Sequence, residues 1–498
     1  MTSLVTKNFR LYNTDQLYSK ITTNATENLY LTIGKTTAWP NDSIPPVVNS
    51  SFDSIAIDTW KYAISMKKIV GSDASYAVPR INWTSGVTYN SYKSYTDFAT
   101  NFYVLTDEFN LYKCIDNNNN SPSTVKPTST STAIVSLADN YKWKFMFTLR
   151  AVDALKYLTT SYIPVKYLTV NDGSDQWLVQ TSAVPGTIDT YSVLVPGTGY
   201  ISQTGTAVTA TPTTITLASS ASAIDSTYNG MSVYISSGQG QGQVKKISSY
   251  IGATKIATVE TWNIIPNATS IYTVSPSVNI VGDGTGASAY STVTSGAITK
   301  INTLSFGSNY KHATVTLQSN VGGNAVIKAN VSPLLGHGSN VVRELFAHNL
   351  TLNVKLTGDE STTFPINNDY RTISLISAPR IANNSYAASL SYDLSDKLTF
   401  TGITGSFLND ENVTGSVSGA TGNIISINGN ILSLNNMFKM FSVGDIITGS
   451  VSGATAVFSN YALSPVKKYS GEVIFINYTT PTYRSSLQTE DYRITVNF

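Results

Sequence analysis

The chain has 498 residues, enough for about two to four domains, and its 32 basic and 30 acidic side chains nearly cancel, so charge gives no ground for a polyanionic partner. Only 12% of residues are charged while 41% are hydrophobic, which excludes an intrinsically disordered or coiled-coil chain. Thirty tyrosines, with Thr and Val throughout, suit half-buried pleated surfaces, and a mainly β protein is predicted.

The opening MTSLVTKNFRLYNTD has no basic stretch followed by an apolar one, and no apolar run approaches the ~18 residues that span a bilayer, so no membrane contact and a cytosolic site of synthesis are expected. Sequons at Asn24, Asn82 and Asn349 are then chance products of an Asn- and Thr-rich composition. One helix is predicted around Ser54 to Val70, with Ile57, Trp60 and Ile64 at helical spacing, and a second around Arg150 to Leu158, with Val152, Leu155 and Leu158. Each is expected to lay that face on a sheet. NFYVLTDEFNLYKCI and YKWKFMFTL read as strands, and the polar stretch DNNNNSPSTVKPTSTST as a surface loop.

From about 184 to 333 the composition shifts to Gly, Ser, Thr, Ala and Val, and the chain repeats itself at an offset of 110 residues. VPGTIDTYSVLVPGTGY aligns with TSGAITKINTLSFGSNY, placing Gly186 on Gly296, Leu194 on Leu304, Gly197 on Gly307 and Tyr200 on Tyr310. GTGASAYSTV around Gly286 matches VGGNAVIKANV around Gly323 and completes the unit, so the first copy is interrupted by a nested segment of its own, about 211–275. Asn229-Gly230 and Gly238, Gly240 and Gly242 punctuate that segment as hairpin turns do. A second repeat lies within 401–461, where TGSVSGAT at Thr414 to Thr421 recurs at Thr448 to Thr455; it reads as a small β module with two equivalent arms.

Motifs with chemical potential are sparse. GKTT at Gly34 to Thr37 ends like a phosphate-binding loop, but Leu29 stands where the first glycine belongs, and a turn after a strand is the better reading. The three histidines, His312, His337 and His348, have no metal-ligand spacing, although Glu344 and His348 could share a helix face. Cys114, the single cysteine, sits in a strand-like run and reads as a small buried hydrophobe. The adjacent acids Asp107-Glu108, Asp359-Glu360 and Glu490-Asp491 would point to opposite faces of a strand, so none forms a glycosidase pair by itself. No catalytic, cofactor-binding or metal-binding residue is predicted.

YLTIGKTTAWPNDSIPP (Tyr30 to Pro46), VPRINWTSGVTYNSY (Val78 to Tyr92), FYVLTDEFNLYKCIDNNNNSPSTVKPT (Phe102 to Thr128) and YKWKFMFTL (Tyr141 to Leu149) occur in this order. They are followed by GHGSNVVRELFAHN (Gly336 to Asn349), LTGDESTTFPINNDYR (Leu356 to Arg371) and GEVIFINYTTPTYRSSLQTEDYRITVNF (Gly471 to Phe498). In that order the blocks resemble the baseplate wedge subunit called gene product eight of T-even-type contractile-tailed bacteriophages. Shorter members of the family lack material matching roughly 184–333 and 401–461, the segments that composition sets apart.

The resemblance implies a β-sandwich core with short helices in loops, built from 1–183, 334–400 and 462–498, with small β modules inserted at 184–333 and 401–461. It implies a homodimer in the virion tail baseplate, assembled in the host bacterial cytoplasm, that bridges wedge proteins similar to gene products six, seven and ten and helps transmit the baseplate's change of shape at infection. Nucleic acid is not an expected partner. A low-charge, Tyr-rich surface suits such interfaces. Trp39, Pro40, Arg80, Trp83, Arg484, Gln488, Glu490 and Asp491, in segments that carry aromatic or guanidinium groups beside turns, are the candidates for interface or interface-supporting positions, with simple fixing of loops of the core as the competing reading. The competing expectation is a receptor- or carbohydrate-binding tail protein acting through the inserted modules.

Overall fold

A computed structural model describes residues 6–23, 26–49, 51–95 and 101–498; the sequon at Asn24 lies outside them. The fold is mainly β, with 45% of residues in strands and 9% in helices. Two compact units form. The first takes the described residues up to Val78, Val152–Val165 and Phe346–Phe498, and the second takes Pro79–Ala151 and Lys166–Leu345. The stretch 1–183, read from sequence as one part of a single core, thus divides between the units.

The first unit is a β-sandwich. One sheet runs Ser391–Asp393, Ala63–Lys68, Leu29–Gly34, Asn368–Ser377, Glu472–Arg484, and the other Thr489–Asn497, Asn349–Thr357, Ala74–Pro79, Tyr162–Val165. Alternation along a strand sends Leu29, Leu31 and Ile33 inward, where they meet Leu350, Leu352, Val354 and Leu356 of the facing sheet. Leu29–Gly34 is buried throughout, because its other face, at Tyr30, is covered by Trp60, Met66 and Ile376.

Trp60 belongs to the helix Phe52–Tyr62, which is shorter than the predicted 54–70. The apolar spacing is coincidental: Ile57 faces solvent, and Ile64 lies in the strand Ala63–Lys68, where Ser65 pairs with Ile33. The second predicted helix forms at Ala151–Tyr157, but its expected apolar face does not meet a sheet. Val152 and Leu155 are exposed at 64% and 76%; Tyr157 is buried instead, and its hydroxyl donates to the carbonyl of Ser72. A further helix, Lys7–Thr22, buries only Leu11, Thr14 and Ile21.

Asp396–Ala462 closes into a six-stranded barrel. Its strands, in order around the barrel, are Asp396–Thr404, Ile431–Phe438, Thr421–Asn428, Asn412–Gly415, Ile446–Gly449 and Thr455–Ala462. The two TGSVSGAT arms meet at its centre, with Thr414 paired to its repeat equivalent Thr448.

In the second unit the strands Tyr103–Leu105, Asn110–Asp116, Lys142–Thr148 and Ile134–Ser136 form a sheet over Tyr89, Tyr112, Cys114, Tyr141, Trp143 and Phe145. The helix Asp175–Thr181, capped by Ser174, adds Val179 to that core. The polar loop after Asp116 is not wholly superficial, since Asn117 and Ser123 are buried. The 110-residue repeat forms a six-stranded sheet in the order Ala297–Ser308, Thr285–Thr294, Ser277–Gly282, Ala313–Gln318, Val326–Val331, Ile188–Val195. The nested segment begins earlier than about 211, because Gln203–Thr206 pairs with Ile271–Ser275; Gln203–Ser275 forms a seven-stranded sheet with its own core of Tyr228, Met231, Val233, Tyr250, Trp262 and Tyr272.

Both repeat modules share one strand order. Each copy supplies three strands; the first strand of each copy pairs with the third strand of the other, and the two second strands pair at the centre. In the barrel the two first strands also pair with each other and close the ring.

Candidate interface site around Trp39

Leu29–Gly34 ends in a turn, as expected of GKTT, where Lys35 takes the left-handed conformation (φ 54°) and its N–H donates to Tyr62 O at 2.9 Å. The Lys35 ammonium then lies 4.7 Å from the ring centres of both Trp39 and Tyr62. Burial lowers its pKa. Trp39 leans on Tyr478, ring centres 4.8 Å apart, and its indole N–H donates to Thr479 O at 3.1 Å.

Asp42 fixes the loop, accepting from the Trp39 amide (2.7 Å) and, through both oxygens, from Arg371 Nε and Nη2 at 2.8 and 2.7 Å. Such a two-pronged fork favours the ionised carboxylate, and it holds Asp42 at a pKa of about 2. Arg371, itself buried, also holds Asp369 at 2.7 Å and donates to Thr36 O. The result is an aromatic-walled cavity of about 220 Å³ with Asp58, Thr372 and Ser374 on its rim, and Pro40 exposed on the same loop. A rigid pocket of this kind can take one large anchoring side chain.

The other candidates scatter. Arg80 and Trp83 belong to the second unit: Arg80 Nε donates to Asn82 at 3.0 Å, and half-buried Trp83 donates to Ser123 Oγ at 3.2 Å. Arg484, 1% exposed, is inside the first unit, its Nε 3.3 Å from Glu490, its Nη2 donating to Gly358 O and its guanidinium over the ring of Phe364. Glu490 is buried with it, and burial pushes its carboxyl upward. Neither offers a surface to a partner; they brace the hairpin whose tip, Leu487, is 95% exposed. Gln488 is half-buried and its carbonyl accepts from Gly358, while Asp491 is exposed beside Arg493.

The histidines stand apart. His312 is 3.5 Å from Asp283 on the surface, His348 Nδ1 lies 2.9 Å from Phe346 O, and His337 is buried. Among the described residues no group of three or more His, Cys, Asp or Glu is placed to hold a metal ion, and no helix is long and apolar enough to cross a membrane. Glu344 is far from sharing a face with His348: it belongs with His337 in a buried cluster that sequence reasoning missed. Lys113 Nζ lies 2.9 Å from both Glu344 Oε2 and His337 Nδ1, and His337 Nε2 lies 3.1 Å from Asp189. Burial opposes the charge on Glu344, but Lys113, His337 and the Gly338 amide outweigh it and hold its pKa at about 2. Asp107 and Glu108 lie in a turn, and both reach Lys126 where strand geometry would have separated them.

Two acids of the barrel were also missed. Asp445 accepts from Val417 N, Ser418 N, Ser418 Oγ and Ser442 N at 2.5–3.2 Å, and Glu411 accepts from Val451 N, Ser452 N, Ser452 Oγ and Leu408 N at 2.7–3.0 Å. Each acid precedes one arm by three residues and caps the turn of the other. No protein-family model matches the chain, and no curated protein matches it.

Proposed function

We propose that the chain is a structural virion protein, a baseplate wedge subunit of a contractile phage tail that works as a homodimer and bridges neighbouring wedge proteins without a catalytic step of its own. One observation carries the reading furthest. The blocks that resemble the wedge family interlock: Leu29–Gly34 of the first pairs with Asn368–Ser377, which pairs in turn with Glu472–Arg484 of the last. The intervening repeats fold on cores of their own. The wedge role would then reside in the sandwich and in the sheet of the second unit built from the blocks at 102–128 and 141–149, and the repeat modules would be additions to them.

The Trp39 pocket is the proposed seat of a wedge contact. The test is to mix the full chain with the wedge proteins of the same phage, similar to gene products six, seven and ten, and resolve complexes on a sizing column. A stable complex is expected, weakened about tenfold or more by Trp39→Ala with the unfolding transition retained, as for loss of one hot-spot side chain. No complex with any of the three contradicts the reading.

A further inference from the structure

The strand Thr489–Asn497 forms one edge of the four-stranded sheet of the first unit. On one side it pairs in unbroken register with Asn349–Thr357, from Thr489 opposite Thr357 to Asn497 opposite Asn349. Its other side has no main-chain partner among the described residues. A long edge without bulge or proline is a ready template for another strand. The edge strand of the facing sheet, Glu472–Arg484, is guarded by contrast: its register shifts between Tyr370 and Thr372 and between Leu375 and Ile376 of the strand it pairs with, and it contains Pro481.

The charges on this edge decide what fits it. Alternation puts Thr489, Asp491, Arg493 and Thr495 on one face, and Glu490, Tyr492 and Ile494 on the other, with Tyr492 and Ile494 packed on the sandwich core. Charged side chains usually protect an edge, but opposite charges two residues apart match themselves when the strand is turned end for end. Two copies paired antiparallel about a two-fold axis keep each side chain on its own face only if the axis passes through a residue. An axis at Asp491 or Arg493 would set like charges opposite one another. At Tyr492 it sets Asp491 opposite Arg493 of the second copy, Arg493 opposite its Asp491, and each Thr489 opposite a Thr495, all favourable cross-strand pairs. Within one chain Arg493 Nη2 lies 3.3 Å from Asp491 Oδ2 at the surface, where such a pair adds little. The guanidinium also donates to Leu155 O at 2.6 Å and Leu158 O at 3.4 Å, and its five donors leave capacity for a second carboxylate.

We propose that Thr489–Asn497 is the seam between two copies of this chain: it pairs antiparallel with the same strand of a second copy about Tyr492, with Asp491 and Arg493 forming two reciprocal ion pairs. The pairing joins two four-stranded sheets into one. The inference rests on the homodimer of the proposed function and supplies its interface.

Two charge reversals test the seam by light scattering on the full chain, with the wild type expected at twice 53.6 kDa. Asp491→Arg and Arg493→Asp each set like charges across the axis and should weaken the dimer by about tenfold or more, with the urea unfolding transition retained. An equimolar mixture of the two variants should restore the dimer, because every basic group of one then meets an acidic group of the other, a rescue that a role confined to one chain cannot give. Hydrogen exchange on the wild type needs no variant: the amides of Thr489–Asn497 that point away from Asn349–Thr357 should exchange slowly in the dimer. A dimer that survives both reversals, a mixture that stays monomeric, or fast exchange of those amides in the dimer would each overturn the seam and leave the homodimer standing. A monomeric wild type would overturn both.

Discussion

The backbone N–H of Tyr310 donates to the carbonyl of Gly186 at 3.1 Å, and the equivalent N–H of Tyr200 donates to the carbonyl of Gly296 at 3.0 Å. Each copy of the 110-residue repeat is therefore closed by the other, as its strand exchange requires. Both glycines have positive φ, 63° and 78°, but their surroundings differ. A Cβ on Gly186 would lie 2.3 Å from Tyr310 N, whereas on Gly296 the nearest atom is Gly199 N at 3.6 Å.

Equivalent substitutions should thus have unequal effects. Gly296→Ala carries only the left-handed strain, about 1–2 kcal/mol, whereas Gly186→Ala must also displace the Tyr310 backbone and should cost at least about 2 kcal/mol more. Urea unfolding of the two variants checks this, and equal losses would refute the packing difference.

The barrel acids predict a crossed response. In Asp445→Asn an NH₂ group faces donors that the carboxylate had accepted, so about 2–4 kcal/mol of local stability should be lost. The faster amide exchange should appear at Val417 and Ser418, in the arm remote in sequence; Glu411→Gln should release Val451 and Ser452 instead. Exchange confined to each acid's own arm would contradict the exchanged capping.

Acid should act on the same groups. Burial opposes ionisation of Asp445, but the hydrogen bonds from Ser418 and the Ser442, Val417 and Ser418 amides hold it at about 2, against 3.8 when free; Glu344 is held at about 2 against 4.5. A depressed folded pKa adds stability that is complete above the unfolded value and disappears as pH falls through the folded one. Stability should therefore be flat above pH ~4.5 on their account and fall between ~4.5 and ~2, which unfolding curves at pH 7, 5 and 3 would show.

The buried cluster responds to charge removal asymmetrically. Lys113→Met leaves Glu344 and Asp189 without their cation and should cost about 3–5 kcal/mol, as breaking one side of a buried pair does. Adding Glu344→Gln should recover part of it, with a coupling of about 1 kcal/mol or more in a double-mutant cycle. Strict additivity of the two losses would mean that the ion pair carries no coupling.

How much of this was legible in the sequence depended on distance along the chain. Both repeats were visible, because Gly186/Gly296 and Tyr200/Tyr310 keep their spacing, but identity reveals equivalence and not pairing, so the strand exchange was hidden. Glu411 and Asp445 escaped because they are different letters at equivalent positions. Lys113 lies in a strand run, and its partner Glu344 is 231 residues away, a separation no local pattern spans. The end of the helix at Tyr62 was missed because Ile64 keeps helical spacing while serving a strand. Residue type alone leaves Arg484 open to a partner contact or to fixing a loop of the core, and its burial against Glu490 and Gly358 shows the second. GKTT is legible as a turn after a strand, but the pocket beside Trp39 depends on Tyr478, Tyr62 and Arg371 from three other segments.

The wedge reading is tested most directly by the absolute mass of the full chain in solution, from light scattering on a sizing column at several concentrations. A stable species at twice 53.6 kDa is predicted. A trimer would contradict it and favour a tail adhesin acting through the inserted modules.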